Sequence, residues 1–424
     1  MSGPSAAVDV VVVGAGPAGL NAACSAAVAG ASVTLLDLMP TAGGRVWAGA
    51  SPERDRLLAA ADRLGVSHRP GVRVVAAEPG RLLLEHTSGS AQWLPHHALV
   101  LATGARELQL PFDGWTLPGV MAAGGLQLLV KGGASLAGRS LVVAGSGPLL
   151  LAAAATARAA GADVLCIAEQ APWSRVAGFA SQLRHWPDRL WQALQLRTAL
   201  AATRYRCGWR LQRADAGPDG RLQAVQLIDA QGRDHRIACD LLAISHGLQP
   251  ELQLPLMLGL AIDDDGAVCT DGLGRCSLAG VWAAGETRGI GGVHKAQIEG
   301  RIAGFAAAGR DDLAAILQPA LQRERRYAQA LRAAFACRLQ EAPPLTPQTL
   351  VCRCEDVPWS AVGRCSSWRE ARLHHRCGMG ACQGRLCGTA LQLHRGWPLP
   401  QDVRPPLAPA RVATLTALNV CDPD

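Results

Sequence analysis

Long apolar runs are missing from this chain of 424 residues. The longest, such as Leu149–Ala155, fall far short of the roughly 20 residues a helix needs to cross a bilayer, so no spanning segment is expected. Residues 1–7, MSGPSAA, lack the basic start and apolar stretch of a secretion signal, which points to the cytoplasm. Phenylalanine and tyrosine are scarce, at four and two, and the arginines are scattered. The net charge of +7 and the pI near 8.8 therefore read as solvated surface and exclude a nucleic-acid face, with an acidic protein partner as the minor option. Nor does any C-x-x-C or C-x4-C pair occur in residues 1–350, which excludes thiol–disulfide exchange there.

What is present suits a multidomain globular protein. The hydrophobic fraction is 49%, and the length exceeds what one core supports. Val10–Gly19, VVVVGAGPAG, runs four β-branched residues into a glycine turn. Such a run suits a strand buried on both faces of a parallel sheet. GAGPAG fits G-x-G-x-x-G: Gly14 makes the turn, Gly16 lets a pyrophosphate approach, and Gly19 lets the next helix pack close, with Pro17 and Ala18 between. Leu20–Ala29 supplies the helix, and ASVTLLD a second strand ending in Asp37, 18 residues beyond Gly19, where a carboxylate takes ribose hydroxyls. Gly44 and Arg45 lie in a turn-rich loop that could follow an extended cofactor. Residues 53–65 read as a helix, 72–100 as a small β-meander, and Ala98–Leu101 as a strand.

The order strand, glycine turn, alanine-rich helix, strand, acid returns from Ser140. Gly145 and Gly147 fill the first two glycine positions, but Leu150 takes the third, where a side chain pushes the helix off its strand. The unit can fold while its pocket changes shape, so NAD(P) is an open possibility here, with Glu169 as the ribose acid and Arg175 within reach of a 2′-phosphate. A hairpin is expected around Pro218-Asp219-Gly220. His246, at a strand end, reads as a residue that satisfies a backbone group. His294 and Lys295 open a small-residue helix and are either cofactor neighbours or simply exposed.

Of 14 cysteines, seven are spread through the first 340 residues as packing thiols, and six crowd into Cys352–Cys387. A charged helix, Arg323–Gln340, and a proline-rich linker precede them. Cys352 and Cys354 are two apart, so in an extended segment both thiolates face one side. Cys382 and Cys387 need a loop to converge, and Gly378, Gly380, Gly384 and Gly388 provide one with free N–H groups. Four thiolates from two clips suit zinc or an iron–sulfur centre, with Arg353, Arg376 and Arg385 favouring its reduction. Cys365 and Cys377 are left over, and Cys377 is the fallback ligand.

Several segments resemble the two-dinucleotide-domain flavoproteins related to the pyridine nucleotide–disulfide oxidoreductases. Ala102-Thr103-Gly104 is similar to the segment that closes over FAD in them, and Gly280–Glu286, GVWAAGE, to their second FAD segment, with Gly285 in place and Glu286 replacing an aspartate. C-x-C with C-x4-C resembles the bacterioferritin-associated ferredoxin-like [2Fe–2S] domain. Over nearly its whole length, through Phe112–Val120, GSGPLLL and RCGMGACQGRLCG, the chain resembles the FAD-containing α-type subunits of heteromeric amino-acid or opine dehydrogenases, among them that of D-hydroxyproline dehydrogenase.

The resemblance implies an α/β fold with two Rossmann-like domains, one for FAD and one NAD(P)-like, plus a small mainly helical C-terminal iron–sulfur domain. The expected boundaries are 1–115 with 246–318 for FAD, 116–245 for the NAD(P)-like domain, 319–347 for helix and linker, and 348–424 for the [2Fe–2S] domain. It further implies FAD and a cluster on Cys352, Cys354, Cys382 and Cys387. The implied partners are a small ferredoxin-like subunit beside an amino-acid-oxidising flavoprotein, and an acceptor that is free or membrane-associated. The alternatives are a self-sufficient NAD(P)H-dependent reductase and a zinc-bearing assembly subunit.

Overall fold

The computed structural model describes residues 8–398 and 403–419, so the start expected to lack a signal, residues 1–7, lies outside them. The chain forms two compact units. One takes the described residues up to Arg106, Gln249–Ala328 and 403–419; the other takes Glu107–Leu248 and 329–398.

In the first unit, Val8–Val13 sits between Val33–Leu36 and the long strand Ala91–Leu101, parallel to both. Val10–Val12 are fully buried, as a two-sided parallel strand requires. Ala91–Leu101 serves two sheets. Its first half pairs antiparallel with the meander Val72–Glu78 and Arg81–His86, while its second half joins the parallel sheet and takes Val281–Ala283 on its far edge. The helix after the glycine turn spans Pro17–Val28 and packs on Val293–Ala307. Small residues make that contact: a Cβ on Gly300 or Gly304 would overlap the carbonyl of Ala18 or Ala22.

In the second unit, five parallel strands run in the order Arg204–Cys207, Asp163–Glu169, Ser140–Gly145, Leu241–Ser245, Val120–Ala122. A three-stranded antiparallel sheet follows over Arg210–Ala238, with its first turn at Pro218–Gly220. Leu150 is fully buried among Leu141, Val143 and Ala243. The helix Leu149–Ala159 starts one position later than its counterpart at Pro17, after a Gly147 with φ of +99°.

The two units divide the chain differently from expectation at two places. Phe112 and Trp115 pack with Val142 and Leu242, which moves residues 107–115 into the second unit. Residues 403–419 lie on the meander of the first unit and not with the cysteines: Glu85 accepts from the Arg411 N–H at 2.9 Å and the Thr414 hydroxyl at 2.5 Å, and Ala417 O accepts from Trp93 Nε1 at 3.1 Å. The proline-rich stretch is tied down, since Thr346 and Thr349 both donate to Asp113 and Trp115 Nε1 donates to Leu350 O at 2.8 Å.

Candidate functional site

The first glycine turn is assembled by close backbone approach. A Cβ on Gly14 would overlap Ala102 O, and one on Gly19 would overlap Gly14 O, so both positions require glycine. Nothing lies within 4 Å of the place a Gly16 Cβ would take. Bare backbone of this kind at a helix N-terminus has the shape and the free N–H groups that suit a pyrophosphate. Asp37 closes the turn: its Oδ2 accepts from Ala15 N at 2.5 Å and its Oδ1 from Met39 N at 2.7 Å, leaving further lone pairs for ribose hydroxyls. Gly44 stands close to Gly16, with its would-be Cβ 3.3 Å from the Gly16 Cα, whereas Arg45 is exposed.

The two other expected FAD segments come to the same turn. Ala102 lies beneath Gly14, and a Cβ on Gly285 would stand 2.7 Å from that of Ala18. Thr287 joins the segments, its Oγ1 accepting from Gly104 N at 3.1 Å and standing 3.2 Å from Thr103 Oγ1. Burial pushes the Glu286 carboxyl up, against the pull of Lys295. Lys295 is buried, not exposed, and donates to Glu299 and Gly289 O, both at 3.0 Å; His294 is exposed. Glu299 also accepts from Gly285 N at 3.1 Å and lies 3.6 Å from Arg288. Sequence reasoning missed Glu299 and Arg288. The i,i+4 spacing of Lys295 and Glu299 is the signal that could have found the acid.

The second turn repeats this plan with its mouth covered. Glu169 is fully buried and accepts from Gly147 N at 2.9 Å, Ala171 N at 2.8 Å and Tyr205 Oη at 3.3 Å. Phe335, the last residue of the helix Gln318–Phe335, lies 3.6 Å from where a Gly147 Cβ would be and packs edge-on against Phe179 at 5.1 Å. Past it, Gln340 O accepts from Arg210 at 3.0 Å, and Glu341 accepts from Gln170 at 3.4 Å and pairs with Arg175. Arg175 is thus engaged by a carboxylate of this chain. His246 is buried with no partner for Nδ1 among the described residues, so it does not satisfy a backbone group there; burial lowers its pKa to about 4.

The cysteine-rich segment builds a small core of its own around Val351, Val362, Cys365 and Leu391. Cys352, Cys377 and Cys387 are all buried, with sulfurs within 4.8 Å of one another. Cys354 is exposed and lies against Cys382, within reach of its backbone and thiol. The strand Leu350–Cys352 ends at the first of the expected pair and the chain turns through Cys354, so the two do not lie in one extended segment. The glycine loop supplies a donor as expected: Gly378 N donates to Cys352 Sγ at 3.4 Å. The Cys377 and Cys387 thiols also face that sulfur and hold Cys352 well below the ordinary thiol range, while they themselves are pushed up. Trp368 fixes the loop, since a Cβ on Gly378 or Gly384 would come within 2.6 or 2.9 Å of its ring. Cys365 turns its thiol to Ala361 O at 3.7 Å and is a packing residue. Three buried thiols within 4.8 Å of one another, with the pair Cys354 and Cys382 in the same segment, are donors that suit a thiophilic metal or an iron–sulfur centre. Elsewhere, burial raises Cys166 to about 11 and Cys239 and Cys276 to about 12, as inert thiols require.

No helix among the described residues is long and apolar enough to cross a membrane. The family model for pyridine nucleotide-disulphide oxidoreductases matches residues 8–300. An opine oxidase subunit from Rhizobium meliloti is 31% identical over 97% of this chain and 87% of its own length. Hydrogen cyanide synthase subunit HcnB from Pseudomonas protegens is 31% identical over 89% of each. Among solved structures, L-proline dehydrogenase from P. horikoshii superimposes with a TM-score of 0.66 over 96% of this chain and 79% of its own at 17% identity. Thioredoxin reductase from T. acidophilum gives 0.57 over 72% and 99% at 21% identity. The FAD-type turn, its repeat and these relatives together make the chain an oxidoreductase that belongs to the pyridine nucleotide-disulphide oxidoreductase family.

Proposed function

We propose that this chain is the FAD- and [2Fe–2S]-carrying electron-transfer subunit of a heteromeric amino-acid dehydrogenase acting on D-hydroxyproline or a related D-amino acid or opine. Together with a small ferredoxin-like subunit, it passes electrons from a substrate-oxidising flavoprotein to an acceptor. The carrying observation is the coexistence of an open FAD-type turn at Gly14–Gly19 with a group of three buried thiols, in a chain whose second nucleotide turn is covered by its own residues. The names of the opine oxidase and cyanide synthase relatives, each one part of a larger enzyme, support the heteromeric reading.

In this reading the Gly14–Gly19 backbone and Asp37 hold the adenosine-diphosphate half of FAD, Ala102–Gly104 covers it, and Gly285 with Glu286 takes the ribityl–phosphate side. Lys295 and Arg288 keep positive charge beside that segment through Glu299. Cys352, Cys387, Cys354 and Cys382 supply thiolates to the cluster. The flavin contributes exchange of one or two electrons and the cluster of one at a time. The chain's own residues bind and orient, and residues 1–350 hold no C-x-x-C or C-x4-C pair for thiol–disulfide exchange.

Co-purification from the native cell, with flavin, iron and acid-labile sulfide assayed, tests the assignment. The expected result is one flavin-containing partner that oxidises the amino acid, with iron and sulfide on this chain. Rapid bleaching of the isolated chain's flavin by NADH under anaerobic conditions would instead establish the stand-alone reductase, and zinc without sulfide the assembly role.

A further inference from the structure

Three buried thiols meet where the expected ligand set supplies two. Cys352, Cys377 and Cys387 form the buried group, while Cys354 and Cys382 make their own pair. Cys352 is fixed by its strand and by the Gly378 N–H. Cys387 opens the helix Cys387–Arg395, whose N-terminal dipole favours a thiolate. Cys377 reaches the same spot from a different element. It follows Arg376, whose φ of 58° closes the helix Trp368–His375, and its N–H donates to Ala371 O at 3.2 Å. Cys365, equally buried, points its thiol away to Ala361 O, so burial alone does not bring a cysteine into the group.

We propose that Cys377 is a reserve ligand of the metal centre, able to take the coordination place of Cys387. The proposal rests on the [2Fe–2S] reading above. In the exchange the Cys377 sulfur bonds to iron as the Cys387 sulfur–iron bond breaks, the departing Cys387 thiolate takes up a proton equivalent to the one the Cys377 thiol releases, and no electron changes hands.

The test uses the full chain in four forms: unaltered, Cys377→Ser, Cys387→Ser and the double variant, each reconstituted anaerobically with ferrous iron and sulfide. Iron and sulfide per chain and the electron paramagnetic resonance of the dithionite-reduced state are read, with circular dichroism as the control for folding. Cys377→Ser, with the four expected ligands in place, is expected to hold more iron and sulfide than the double variant. Cys387→Ser is expected to keep most of its iron and sulfide with a shifted resonance, and the double variant to lose about tenfold or more. A folded Cys387→Ser as empty as the double variant, or a double variant as full as Cys387→Ser, overturns the proposal. Cys387→Ala replaces Cys387→Ser if the latter does not fold. Should the unaltered chain hold zinc and no sulfide, the [2Fe–2S] reading fails, and zinc content across the same variants then decides the role of Cys377.

Discussion

Glu169 accepts the Gly147 N–H at 2.9 Å, so the acid that ends one strand of the second repeat caps the repeat's own glycine turn. Asp37 does the same to Ala15 in the first repeat. The two turns differ in what lies above them: open space over Gly16, Phe335 over Gly147.

That difference predicts a binding result. The unaltered chain should give no heat with NADH in calorimetry. Phe335→Ala with Glu341→Ala removes the aromatic cover and the Arg175 ion pair, and should bring measurable NADH affinity. A double variant as inert as the parent, with normal thermal unfolding, would mean that Glu169 and Leu150 close the site by themselves.

Within the first turn, Gly16 and Gly19 should fail differently. Gly19→Ala puts a methyl into the Gly14 carbonyl and should cost both flavin content and several degrees of thermal midpoint. Gly16→Ala meets no protein atom within 4 Å, so the protein should fold with its midpoint within a few degrees of the parent and still lose flavin. Flavin absorbance and thermal unfolding on the two purified variants distinguish these outcomes.

Acid should destabilise the second unit. His246 and an exposed imidazole differ in pKa, about 4 against 6.5, because burial disfavours the charged ring. The folded value is depressed, so the stabilisation is complete above pH ~6.5 and is lost as pH falls toward ~4, by about 3 kcal/mol at the limit. His246→Phe should flatten that part of the stability profile, as measured by urea unfolding across the range.

Trp368→Ala should loosen the loop that carries Cys377 and Cys382. Its ring fills the space beside Gly378 and Gly384, and truncating it should cost about 2–4 kcal/mol and most of the bound iron. Unfolding followed by circular dichroism gives the first, and iron analysis the second.

Both βαβ repeats were legible because their signals are local: Gly14 and Gly19 are dictated by atoms a few residues away or one strand over. The grouping of thiols was legible only in part. Spacing brought the cysteines to one region, but the strand stops at Cys352 and the chain turns through Cys354, and Cys377 joins through the left-handed cap at Arg376. The cover of the second turn left no mark in the sequence, since Phe335 and Gly147 are almost two hundred residues apart. Glu299 was readable by helical spacing from Lys295, yet its bond to the Gly285 N–H depends on how the chain returns after Val281–Ala283.

The long strand Ala91–Leu101 also sets a timetable for the growing chain. Its far edge is completed by Val281–Ala283, which leaves the ribosome only after the five parallel strands between Val120 and Ser245 have all emerged. The first sheet to begin is therefore the last of the two to close. Held as proposed by Gly285 and Glu286, FAD would be captured only late in synthesis, and until then the edge along Leu99–Leu101 would lack its partner strand.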